Sequence, residues 1–142
     1  MKTLIAIASG VLLTAIAIAA QGAAAPRPYK VVFDLTSDDP ADQGAVLRWL
    51  HEVGAANPQT EMEVVMYGRG LSLVVSGRAA QTDELKQAIA RPHVAFKVCE
   101  IAMKNQKIDR GQLLSGVGIV QDGIGEIVDK ETHGWGYIKA VH

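Results

Sequence analysis

From Tyr29 to Leu35 the chain reads YKVVFDL, a near-continuous apolar and β-branched run of the kind that forms a strand buried on both faces. The pattern then changes period. After the polar stretch TSDDPADQ, Val46, Trp49, Leu50 and Val53 recur at i, i+3, i+4 and i+7, one apolar stripe of a helix. Asp39-Pro40 supplies a cap and a first helical residue, and Asn57-Pro58 ends the segment. MEVVMYG (Met62 to Gly68) predicts a second strand entering a Gly-rich corner, and Gly70 to Ser76 a short helix. In TDELKQAIARP, Thr82 to Pro92, Leu85, Ala88 and Ile89 mark an inward helix face that Pro92 terminates. HVAFKVC predicts a third strand, EIAMKNQKI a helix directly after it, and GVGIVQD, Gly116 to Asp122, a fourth strand. Ile124, Ile127 and Val128 mark a fourth helix, and WGYIKAV, Trp135 to Val141, a fifth strand.

Strands alternating with helices predict an α/β domain with a five-stranded, mainly parallel sheet covered on both faces. In such sheets chemistry gathers at the carboxyl edge, where strands end and helices begin.

The N-terminus follows a different logic. Met1-Lys2 is a short positive start, and Thr3 to Ala20 is uncharged and apolar or small, with A-x-A patterns at Ala17-Ile18-Ala19 and Gly22-Ala23-Ala24. These features predict an export signal over residues 1–24, cleaved between Ala20 and Ala25, and a single domain over 25–142 released into the periplasm with no stable membrane insertion. An uncleaved anchor is the competing reading of a run this long.

Composition narrows the function classes. The formal charge of −1, the absence of a long basic run and an aromatic content of 5% argue against a nucleic-acid partner. A hydrophobic fraction of 49% argues against disorder. The four histidines have no metal-ligand spacing, so neither a metal nor a cofactor is expected, and nothing resembles a nucleophile elbow.

The single cysteine changes the picture most. An exported domain with one cysteine has no internal disulfide, and an idle thiol there is a liability. Cys99 ends the third predicted strand and precedes a helix, whose N–H groups would favour a thiolate, with Glu100 opposing and Lys97 and Lys104 compensating. Cys99 is therefore the candidate catalytic residue; its plain alternative is a small packed hydrophobe. Gly68, Arg69 and Gly70, at the end of the second strand, form a weaker candidate binding corner for an anion, a plain turn being the alternative.

Three segments, VVMYGRGLSLV, VAFKVCEIAMKNQKI and GVGIVQDGIGEIVDKETHGWGYIKA, together resemble the DsrE/DsrF-like family of sulfur-relay proteins, from about Lys30 to Lys139. The most specific piece is Gly123, Glu126 and Gly134-Trp135 followed by Tyr137-Ile138-Lys139. The resemblance implies an α/β/α sandwich, assembly into trimers or hexamers, and a cysteine at the place of Cys99 that holds sulfane sulfur as a persulfide for transfer between donor and acceptor proteins. Three departures stand out. Glu100-Ile101-Ala102 replaces a Gly-Asn-Thr-like run, Ala140 replaces a proline, and the chain carries an export signal where relatives in sulfur oxidation often work in the cytoplasm. Two function classes follow: a sulfurtransferase-like carrier without cofactor, and a non-catalytic oligomeric module binding a small anion or a protein, with Cys99 structural. Redox sensing through a mixed disulfide is a third.

Overall fold

The structure, a computed structural model, describes residues 27–78 and 82–141. The predicted export signal lies outside the described residues. Five strands, β1 (Lys30–Leu35), β2 (Glu61–Met66), β3 (Val94–Cys99), β4 (Gly118–Val120) and β5 (Gly136–Lys139), form one sheet in the order β4-β3-β2-β1-β5. Every pairing is parallel, so the sheet is wholly and not merely mainly parallel. The helices are α1 (Pro40–Ala56), α2 (Thr82–Ile89), α3 (Glu100–Gln106) and α4 (Gly123–Thr132). Asp39 caps α1 through a bond from the Ala41 N–H, with Pro40 at the first helical position, and the helix ends at Asn57. The segment expected to be a short helix from Gly70 is a 3-10 helix, Gly68–Val74. Both β4 and β5 are shorter than their apolar patterns, because each is an edge strand with a partner on one side only.

Connectivity decides which face each helix covers. The chain steps outward from β1 to β4, and α1, α2, α3 and the 3-10 helix all pack on one face over Val31, Phe33, Leu35, Val64, Met66, Phe96 and Val98. It then returns across the sheet to β5, and a right-handed crossover in that reverse direction puts α4 on the opposite face. There Ile127 of α4 packs on Val32 and Val65. Phe33, fully buried, stacks on Trp49 of α1 with ring centroids 6.1 Å apart. Each such buried large side chain contributes about 1.5–3 kcal/mol.

Among the described residues α4 alone covers its face, and not completely. Its Ile127 is buried, but Ile124 and Val128, one turn apart on its outer side, are 58% and 53% exposed. On β5, Tyr137 and Ile138 are exposed as well. Among the described residues, no helix is long and apolar enough to cross a membrane.

Candidate functional site

Alternation along the strands puts Val32, Asp34 and Thr36 on the α4 face, with Glu63, Val65 and Tyr67 beside them and Lys97 and Cys99 beyond. Toward the carboxyl edge this face becomes polar, against the apolar run on either side of it.

Cys99 stands at the reversal of the sheet's winding. β3 runs into α3 on one face and β4 into α4 on the other, so the chain parts between these two strands, where Cys99 pairs with Val120. That parting is where open α/β sheets place their ligands. Cys99 is also the residue capping α3, and its side chain makes no cap hydrogen bond. The first residue of α4, Gly123, lies against it. A Cβ built on Gly123 would come 3.1 Å from the Cys99 Cβ and 3.3 Å from both Tyr67 Cδ1 and Val65 Cγ1. A side chain there would crowd all three by a few tenths of an ångström, so glycine suits this close approach of the α4 N-terminus, with Asp122 capping the helix through a bond from the Ile124 N–H. The result is a covered thiol: Cys99 is 4% exposed. Glu100 turns outward to Lys104, 3.0 Å away one turn along α3, rather than toward the sulfur.

The YGRG corner ends the neighbouring strand. Gln106 of α3 donates to the Gly68 carbonyl, which ties this corner to the helix that Cys99 caps. Arg69 points away from the sheet, is exposed, and pairs with Asp38 at 3.2 Å, an exposed ion pair of small energetic weight. Gly70 is held by packing: a Cβ there would fall 2.1 Å from the Leu35 carbonyl oxygen. The structure thus gathers Gly68 and Cys99 at one edge and leaves Arg69 outside it.

On the other side of β2, over β1 and β5, lies a cluster that sequence reading passed over. Asp34, buried at 3% exposure in β1, receives three donors on one oxygen. The Tyr67 hydroxyl donates to Oδ2 at 3.1 Å, the Tyr137 hydroxyl at 2.8 Å and the Lys139 ammonium at 3.1 Å. Lys139 also donates to Thr36 Oγ1 at 2.8 Å and lies 5.8 Å from the centroid of the Tyr67 ring. The other carboxylate oxygen, Oδ1, is buried with no hydrogen-bond partner among the described residues. Burial, reinforced by the Asp34 charge, pushes the Tyr67 phenol up to about 12. For Tyr137 the hydrogen bond to Asp34 is the larger cause, and it too is raised to about 12. Both phenols therefore stay protonated donors at neutral pH. The signal was present in the sequence as an acid inside the apolar run YKVVFDL.

A second buried acid, Glu63 in MEVVM, has the same signature. Lys130 of α4 pairs with it at 2.9 Å and with Glu126 at 3.5 Å, and the ammonium lies 4.4 Å from the Trp135 ring centroid. Burial raises the Glu63 carboxyl above the usual range even against the pull of Lys130. Desolvation pulls Lys130 down, but the bond to Glu63 and the charges of Glu63 and Glu126 outweigh it, leaving it above the ordinary lysine value. This network fastens α4 to the sheet.

Among the described residues, no three His, Cys, Asp or Glu side chains are placed to hold a metal ion. His51 meets the Arg91 guanidinium at 2.9 Å, away from the sheet edge, and His133 sits at the end of α4.

No family model and no curated protein matches the chain. Solved structures do. MTH1491 from Methanobacterium thermoautotrophicum, described as a protein of unknown function, is 27% identical with a TM-score of 0.74 over 78% of this chain and 98% of its own. The ychN protein from E. coli is 13% identical with a TM-score of 0.65, over 80% of this chain and 99% of its own. BT1422 from Bacteroides thetaiotaomicron, a conserved protein of unknown function, is 11% identical with a TM-score of 0.59, over 78% and 93%. The chain is therefore a five-stranded parallel α/β domain whose fold resembles DsrE-like proteins.

Proposed function

We propose that the protein is an exported, cofactor-free sulfur carrier that holds sulfane sulfur on Cys99 and passes it to a partner thiol. The observation that carries this reading is the place of Cys99 at the reversal of the sheet, between the starts of α3 and α4. The chemistry asks little else of the site. The thiol loses its proton to solvent, and the thiolate attacks the outer sulfur of a donor persulfide, R–S–SH. One S–S bond forms on Cys99 while the donor's S–S bond breaks, releasing R–S⁻. A second thiolate removes the sulfur by the same exchange in reverse, with no net oxidation. The donor and the acceptor are proteins or small thiols with access to the sheet edge. The carrier works as a homo-oligomer, a trimer or hexamer, with the apolar stripe Ile124–Val128 covered by another copy.

One observation favours a second reading. At 4% exposure in the single chain, Cys99 is packed as a small hydrophobe is, and a binding module with a structural cysteine would look the same. Cyanide separates the two, since it releases sulfane sulfur from a persulfide as thiocyanate. Polysulfide-treated protein, freed of reagent, should yield close to one thiocyanate per chain, and a Cys99→Ser variant none. Equal yields from both proteins would leave the binding module as the reading.

A further inference from the structure

A carrier thiol must meet its donor, yet Cys99 is covered, so something beside it has to move. Two further side chains border Gly123 beside it, Val65 and Tyr67. Val65 is fully buried within the central sheet and cannot leave without opening the core. Tyr67 is half-buried, lies just past the end of β2, and is followed by Gly68 at φ +54, a left-handed conformation that favours glycine. Its ring edge borders Gly123, as Cys99 does, and its hydroxyl, at the other end of the ring, is anchored on Asp34.

The anchor is arranged so that release strands nothing. Asp34 Oδ2 holds three donors, and without Tyr67 it keeps Tyr137 at 2.8 Å and Lys139 at 3.1 Å. The freed phenol, on a half-buried side chain, meets solvent. Closing costs little, and opening costs one hydrogen bond to a charged acceptor. A packed apolar cover would have no such release.

We propose that Tyr67 is the access-controlling residue of this site: anchored on Asp34, its ring closes over Cys99, and its release admits the sulfur donor. The inference rests on the carrier reading for its purpose, not for its geometry. Tyr137 provides the matched control, because its hydroxyl occupies the same Asp34 oxygen while its ring belongs to the edge strand β5, two strands further from β3.

The test is the rate at which iodoacetamide alkylates the only cysteine in the folded, full-length mature protein. Tyr67→Phe should raise that rate about tenfold, the factor expected for one charge-assisted hydrogen bond. Tyr137→Phe should change it less than about twofold on the same scale. Both rates should be flat across low urea, the mark of a local opening rather than global unfolding. Circular dichroism melts confirm that each variant is folded at the assay temperature. Equal acceleration by the two variants would reduce Tyr67 to one structural ligand of Asp34 and overturn the proposal. So would an unchanged rate in Tyr67→Phe, or a rate that climbs with urea as stability falls. A Tyr67→Phe variant that alkylates faster but yields no thiocyanate after polysulfide treatment keeps the gate and removes the carrier.

Discussion

Replacing Asp34 with asparagine changes one oxygen to an amide nitrogen and removes one negative charge, with almost no change of shape. The asparagine carbonyl can face the three donors that Oδ2 now holds, at 2.8 to 3.1 Å. Each bond then passes from a charged to a neutral acceptor, a loss of about 1 kcal/mol apiece before solvent is counted. Lys139 and Tyr137 are partly exposed and recover some of this by hydration, so about 1–2 kcal/mol of the total survives. The amide nitrogen must occupy the place of Oδ1, which is buried and partnerless, and stranding its donors there costs about 1–3 kcal/mol. The expected loss is therefore about 2–5 kcal/mol, a large share of a domain's usual 5–15 kcal/mol. Urea unfolding at pH 7 measures it.

Tyrosine ionisation, followed by ultraviolet absorbance, gives an independent readout in the same variant. Tyr67 and Tyr137 now ionise at about 12. Removing the Asp34 charge should lower both, and Tyr137 further, since its chief cause is the Asp34 bond whereas that of Tyr67 is burial. A variant that loses less than about 0.5 kcal/mol, within the range of an ordinary surface substitution, and keeps both phenols where they were would refute this account of the cluster.

Other expectations follow from the same geometry. Gly70→Ala should destabilise by more than about 3 kcal/mol, because its Cβ meets backbone at Leu35 with nothing flexible to yield, while Gly77→Ala, in open space but at φ +79, should lose only about 1 kcal/mol; paired denaturation curves decide. Burial raises Glu63 above 4.5, so its contribution to stability is most favourable below the unfolded value and declines as pH rises through the folded one. The melting temperature of the wild type relative to Glu63→Gln should accordingly fall between pH 4 and pH 8, and a constant difference would contradict the shift. If a second copy covers the outer side of α4, Val128→Glu should lower the mass seen by light scattering; an assembly of unchanged size would place the contact elsewhere.

Much of this fold was legible in the chain. Continuous apolar runs and period-3.6 stripes located the strands and helices, and Asp39-Pro40 and Asn57-Pro58 marked the two ends of α1. Strand order was not legible, because periodicity says nothing about which neighbours pair. Neither, then, was the solitary position of α4, which leaves Ile124 and Val128 bare although they continue the apolar pattern of Ile127. At the site, sequence placed Cys99 at a strand-to-helix junction but not against Gly123, where the end of β3, the start of α4 and Tyr67 past the end of β2 come together. Asp34 and Lys139 lie far apart in the chain and meet only because β5 returns to pair with β1. Asp34 and Glu63, each an acid in an apolar run, were the readable trace of both polar clusters.

The central claim is that sulfur resides on Cys99, and intact-mass measurement of the mature protein tests it most directly. After exposure to polysulfide and removal of the reagent, the wild-type chain should be heavier by one sulfur atom, return to its starting mass on treatment with a thiol, and leave Cys99→Ser unmodified throughout. A wild-type chain that stays at its starting mass while folded, and gains sulfur only when unfolded, would make Cys99 a packed core residue and contradict the account.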